Sequence, residues 1–230
     1  DMLKQIFEAA RQTYRQNAVD IFMDCPSRER AGWLCDSFWS ARTGHLLSGH
    51  QKIETAFLEN YALPQSFAFI PDGMLPMCYP SDHNDGVFIA NWALWFVVQL
   101  REFKERGGSP KLISALRPRV EKLFKWFERY QNDLGLLEKV PSWVFVEWSK
   151  ANDFVQDVNF PSNMLFAGAL DAAAELYGNQ VWKRQADKLR DVINELSFDG
   201  TWYVDNAIRK PNGSLEVTRN RSETCQYYAF

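Results

Sequence analysis

Apolar residues recur at three- and four-residue spacing through most of this chain, which predicts a succession of helices. In residues 3–16, Leu3, Ile6, Phe7, Ala10 and Tyr14 form the stripe of a first amphipathic helix that Asn17 can end. A second pattern runs over about 36–61 through Phe38, Ala41, Leu46, Ile53, Phe57 and Leu58, with an interruption expected near Gly44 or Ser48-Gly49. Residues 85–105 are apolar on nearly every face up to Gln99, as expected of a helix enclosed by others; Asp85 is the expected N-cap and Gly107-Gly108 the stop. Residues 110–130 return to the amphipathic pattern, with Leu112, Leu116, Val120, Leu123, Phe124 and Phe127 facing inward. The alternation then repeats. Residues 160–177 are apolar and alanine-rich, 180–196 are polar with an inner stripe of Trp182, Ala186, Leu189, Val192 and Ile193, and another apolar helix begins at Glu223.

The connections carry their own signals. Pro64, Pro71, Asp72-Gly73, Pro76 and Pro80 punctuate 62–84, leaving at most one short strand at FAFIP, and 132–158 form a second long loop with an extended piece at 143–146. FDGTWYVDNA reads as a turn or hairpin. Loops of this length in a compact domain tend to carry function. Enclosed inner helices alternating with amphipathic outer ones predict an all-α toroid of helical hairpins around a cleft, with the long irregular loops at the cleft end.

Charge narrows the range of partners. The 230 residues hold 26 basic and 29 acidic side chains spread along the chain, which removes the basic footprint of a nucleic-acid binder. No apolar run reaches the roughly 20 residues a membrane span needs. Cys25, Cys35, Cys78 and Cys225 lack zinc-site spacing and imply no disulfide framework. His45, His50 and His83 have no ligand spacing or Ser/Asp partner, which argues against a metal centre or a hydrolytic triad, and no cofactor is implied. No signal sequence is visible, and the compartment stays open. Aromatic residues reach 15%, with nine tryptophans. That excess in a nearly neutral chain favours a carbohydrate cleft, with a large helical core as the competing explanation.

The candidate chemistry concentrates in DCPSRERAGWLCD, residues 24–36. It places Asp24, Glu29 and Asp36 beside Arg28, Arg30 and Trp33, and Pro26 and Gly32 argue for a loop. Carboxyl groups that move protons and fix hydroxyls, next to a flat ring that packs on a pyranose face, are what glycoside cleavage needs. Taken alone, such acidic and Arg-Glu-Arg runs are more often solvated helix starts. A helical second half would put Glu29, Trp33 and Asp36 on one face, and an extended one would point Arg28 and Arg30 away from Glu29.

This run resembles the DCPxRxERxGWxGD-like signature of the bacterial α-L-rhamnosidases, whose catalytic domain is a six-hairpin (α/α)6 barrel. The resemblance covers essentially the whole chain, including SETCQYYAF, which looks like the family's Ser/Thr-rich lead into a later inner helix. It implies that Glu29 is the general acid, that Asp24 and Asp36 hold rhamnose hydroxyls, and that Trp33 walls the sugar pocket. HNDGVFIANW is similar to the family's Trp-Gly-Asp-Ala and Pro-Trp region, which implies Asp85 and Trp92 at the pocket rim or floor. VFVEWSKAND is similar to a Gly-Asp-Trp-containing loop, which implies Trp148. By helical pattern alone, Trp92, Trp95 and Trp126 read as core, while Glu147, in a loop flanked by tryptophans, reads as a second acid in a different glycosidase arrangement. Three departures stand out: Cys35 replaces a glycine, His83 and Asn84 replace small and aromatic residues, and the family's general-base glutamate lies on a helix past residue 230.

The implied activity is removal of terminal α-L-rhamnose from a glycoside or polysaccharide with inversion, the two carboxyl groups lying roughly 6.5 to 9.5 Å apart. Burial against Trp33 and the charges of Asp24 and Asp36 are expected to raise the pKa of Glu29, with both arginines turned away. A direct Glu29–arginine pair would count against the acid role. The alternative is a non-catalytic helical carbohydrate-binding or scaffold module. Residues 1–230 are expected to be a single portion of a barrel domain that continues further. Its open ring would expose apolar flanks for the remaining barrel segment or for self-association to cover.

Overall fold

The computed structural model describes residues 1–230. Its eight helices are α1 (Met2–Asn17), α2 (Leu34–Ser48), α3 (Lys52–Ala62), α4 (Ala90–Glu105), α5 (Pro110–Glu128), α6 (Phe160–Tyr177), α7 (Gln180–Ser197) and α8 (Glu223–Ala229). Local chemistry accounts for their ends. Ser109, Asn159, Asn179 and Ser222 accept backbone N–H groups as N-caps, and Gly49 and Gly178 close α2 and α6 in the left-handed conformation. The 36–61 pattern therefore divides at Gly49, with Gly44 inside a helix.

The predicted alternation is present. α4 and α6 are buried over most of their length, whereas α5 and α7 bury only a stripe. α2 packs on α4, α4 on α6 and α6 on α8, forming an inner arc. α3 and α5 adjoin outside it, and α7 backs α6. The architecture is an all-α arc of helical hairpins, with one continuous core between its inner and outer rows.

Some sequence expectations are corrected. Asp85 does not cap α4, which begins at Ala90, because the chain ahead of it is held extended where Phe88 pairs with the second long loop. Phe88 N–H donates to Ser142 Oγ (3.0 Å), Trp143 N–H donates to the Phe88 carbonyl (3.2 Å), and Asp85 Oδ1 instead accepts Val87 N–H (3.0 Å). FAFIP forms a turn, with Ile70 N–H on the Phe67 carbonyl (3.3 Å), and 143–146 pairs with no strand. The apolar stripe of α1 is not buried: Leu3 is 75% exposed, and Ile6 and Phe7 are also exposed. Unanticipated is a small antiparallel sheet of β1 (Val158–Asn159), β2 (Asn206–Arg209) and β3 (Leu215–Val217), with Ala207 opposite both Val158 and Val217. The Pro211-Asn212-Gly213 run that turns β2 into β3 is a hairpin signal.

Gln99, a polar residue in the apolar run of α4, lies in the interior. Ser37 Oγ shares its proton between the Leu34 carbonyl (2.6 Å) and Gln99 Oε1 (2.8 Å), and Gln99 Nε2 donates to Glu54 Oε1 (3.2 Å). Arg106 then bridges Glu54 (2.7 Å) and Glu102 (2.9 Å), and Glu102 also accepts from Arg42. The network ties the start of α2 to α3 and α4. Glu54 is 2% exposed, so removing its counter-charge leaves a buried carboxylate unpaired. Arg106→Met is expected to lower stability by about 3–5 kcal/mol in urea unfolding.

Candidate active site

The segment ahead of α2 is a closed loop. Asp24 N–H donates to the Ala31 carbonyl (3.2 Å), Asp24 Oδ1 accepts Ala31 N–H (3.1 Å), and Cys25 Sγ accepts Glu29 N–H (3.2 Å). Arg30 takes a left-handed φ of 52° inside it. The next residues pair antiparallel with the first long loop: Tyr79 N–H donates to the Gly32 carbonyl and Leu34 N–H to that of Met77, both at 3.0 Å. Gly32 is required there, because a Cβ would lie 2.7 Å from the Tyr79 carbonyl oxygen.

This loop orients Glu29 and Trp33. Trp33 Nε1 donates to Glu29 Oε2 (2.9 Å), and the other carboxylate oxygen, Oε1, pairs with Arg28. The expectation that both arginines turn away is therefore wrong for Arg28. In a closed loop, unlike a strand, neighbouring side chains are not forced to opposite faces. Asp36 sits in the first turn of α2. Water reaches it through the open cleft, but protein encloses its other sides, and this desolvation pushes its carboxyl up to about 6, aided by the charges of Asp24 and Glu29 and opposed by a backbone hydrogen bond.

These groups open onto a cleft of about 1280 Å³ on the inner side of the arc. α2 contributes Asp36 and Trp39, α4 contributes Trp92 and Trp95, α6 contributes Met164 and Leu165, and α8 contributes Tyr228. The second long loop forms an aromatic wall. Trp148, 80% exposed, meets Phe145 edge-on at 4.8 Å and Trp143 at 5.9 Å, while Trp92 meets Phe145 at 5.0 Å. Val146 N–H donates to Asn152 Oδ1 (3.0 Å) and Tyr228 Oη donates to the Val146 carbonyl (3.2 Å), tying that wall to α8.

The fold brings all the predicted site residues to this one cleft: Asp24, Glu29, Trp33 and Asp36 from the first half of the site, and Asp85, Trp92 and Trp148 from the loops and α4. Trp126 is core, packed edge-on against Phe88 at 5.5 Å. Trp95, read from the sequence as core, packs on Phe38 at 4.7 Å and also lines the cleft. It follows Trp92 by three residues, a spacing that places both on one helix face. Glu147 also lines the cleft, with Oε2 3.5 Å from Thr224 Oγ1. Trp39, His83 and Tyr228 line the cleft as well, and nothing local to them in the sequence distinguishes a cleft position from a surface one. No group of three or more His, Cys, Asp or Glu is arranged to hold a metal ion. No helix is long and apolar enough to cross a membrane.

Residues 1–201 match the family model of the bacterial alpha-L-rhamnosidase 6 hairpin glycosidase domain. The chain belongs to this family. Its fold is similar to that of the GH78 family rhamnosidase of Bacillus sp. GL1, with a TM-score of 0.73 and 22% identity over 90% of this chain and 22% of that one. It is also similar to a rhamnosidase from Klebsiella oxytoca with rhamnose bound, with a TM-score of 0.71 and 16% identity over 95% of this chain and 44% of that one. The rhamnosidase-family chain thus spans less than half the length of either structure. Comparison with curated proteins yields no match.

Two outcomes follow from the geometry. Gly32→Ala forces the signature segment off Tyr79 and is expected to cost about 1–3 kcal/mol in urea unfolding. Asp36 has a higher pKa folded, about 6, than its ordinary 3.8, so the folded state binds its proton more tightly and stability falls as pH rises from 3.8 through 6. Asp36→Asn removes that fall. Thermal unfolding should show the variant gaining on the parent above about pH 6 and matching it below about pH 4.

Proposed function

We propose that this chain binds a terminal α-L-rhamnosyl group and supplies the proton donor for its hydrolysis with inversion. The observation that carries the reading is the convergence of Asp24, Glu29 and Asp36 with Trp33 on one aromatic-walled cleft, in a chain of the rhamnosidase family. The Klebsiella oxytoca relative with rhamnose bound supports that sugar as the ligand. In the reaction, Glu29 gives its proton to the glycosidic oxygen as the bond from that oxygen to the anomeric carbon breaks. Water adds to the opposite face and surrenders a proton to a second carboxylate. The family's base glutamate has no counterpart assigned among residues 1–230. Five carboxyl groups line the cleft, Asp24, Glu29, Asp36, Asp85 and Glu147, and they suit a neutral polyhydroxylated ligand better than an anionic one.

The Arg28 contact opposes the donor role in the unliganded geometry. Both Glu29 oxygens accept hydrogen bonds, so neither presents a proton to the cleft. Arg28, however, is 80% exposed, and exposed ion pairs are worth about 0–1 kcal/mol, so an arriving leaving group can displace it. The same pairing favours the second reading, a sugar-binding module without turnover.

Hydrolysis of an aryl α-L-rhamnoside separates the two. If Glu29 is the acid, Glu29→Gln lowers kcat by about 10²–10⁴ with KM little changed, and Arg28→Met works at or above the parent rate. Equal rates in the parent and Glu29→Gln would remove Glu29 from the mechanism. Rhamnose binding by calorimetry with no turnover, in this chain and in a longer one, would establish the module.

A further inference from the structure

We infer that His83 is a positioning residue of this site, its ring bracing the Trp33 indole so that the indole N–H stays on Glu29. The inference deepens the proposed role of Glu29 and rests on it for its consequence in catalysis. The contact itself stands on geometry alone. His83 is half-buried and lines the cleft beside Trp33, with ring centroids 5.6 Å apart and planes inclined at 58°. Trp33 is also half-buried, and its Nε1 donates to Glu29 Oε2 at 2.9 Å.

The backbone fixes this proximity. Trp33 and Cys78 face each other in the antiparallel pairing that Gly32 permits, so the two segments run together directly before His83. Ser81 Oγ then donates to the Cys78 carbonyl (3.2 Å) and accepts His83 N–H (3.2 Å), which folds the intervening residues into a tight turn. His83 is thus delivered to the indole within the cleft lining. An indole at the rim of an open cleft can rotate toward solvent. A flat ring lying 5.6 Å away removes that freedom and restricts the N–H to the side where Glu29 sits. A residue with a flat face is what this position needs.

The test reads the indole N–H of Trp33 in the ¹⁵N-labelled 230-residue chain, the resonance being identified by its loss in Trp33→Phe. In His83→Ala the resonance is expected to shift and to exchange with solvent about tenfold faster, the effect of losing roughly one hydrogen bond's restraint. His83→Phe, which keeps a flat face and lacks the imidazole nitrogens, is expected to restore the parent behaviour. His83→Asn, which is polar without a ring, is expected to match His83→Ala, so the comparison survives if one variant folds poorly. In rhamnoside hydrolysis, His83→Ala is expected to lower kcat about tenfold at unchanged KM, with His83→Phe near the parent. An unchanged Trp33 N–H in both His83→Ala and His83→Asn would overturn the inference. So would a His83→Phe variant as perturbed as His83→Ala, since the nitrogens rather than the ring face would then be acting. If Glu29→Gln retains full activity, the acid assignment fails while the resonance still decides whether His83 holds Trp33.

Discussion

Two backbone hydrogen bonds, from Tyr79 N–H to the Gly32 carbonyl and from Leu34 N–H to that of Met77, hold the acidic loop against the first long connection, and the site depends on them. They require a residue without a Cβ, because the Tyr79 oxygen occupies the space a side chain would take. From this pairing the rest follows in order. Trp33 is fixed at the start of α2, its indole reaches back to Glu29, Asp36 falls in the first helical turn, and His83 is brought to the indole from the first long connection. Substitution at Gly32 would therefore disturb several cleft residues together although its own atoms take no part in chemistry.

The pairing can act this way because the helix it starts is held rigidly from behind. α2 packs on α4, and the chain of contacts from Ser37 through Gln99 to Glu54, Arg106 and Glu102 links their registers inside the core. Buried charges add little net stability even when paired, and a hydrogen-bonded network that links several helices restricts how they can slide. The inner arc then sets the shape of the cleft. Side chains of α2, α4, α6 and α8 that cannot be covered by the outer helices form its lining, which explains why it is largely apolar and aromatic.

Within that lining the electrostatics divide the carboxyl groups by surroundings. Asp24 spends one oxygen on the Ala31 N–H and so closes its own loop. Glu29 is held between an exposed guanidinium and an indole N–H. Asp36 is enclosed on the protein side and meets the negative charges of the other two, so its carboxyl is the one held near 6. Three acids within thirteen residues thus have three different tasks available to them, and a bound sugar would meet an acceptor, a movable pair and a group able to donate as well as accept.

The helices were legible in the sequence because a period of 3.6 and caps such as Ser109 and Asn159 are local properties, and α6 runs over the predicted 160–177. The signature from Asp24 to Asp36 likewise identified the family and the acidic half of the cleft. What the sequence could not supply came from partners distant along the chain. Phe88 pairs with Ser142 and Trp143 ahead of α4, Ala207 became central to a sheet between segments about fifty residues apart, and α1 kept a helical stripe that stays exposed apart from Tyr14, half-buried against Phe22. The contact of Arg28 with Glu29, the cleft position of Trp95 and the placement of His83 on Trp33 were decided only in three dimensions. Periodicity specifies which face of an element is apolar, whereas the neighbour that face or charge meets is set by how the elements pack.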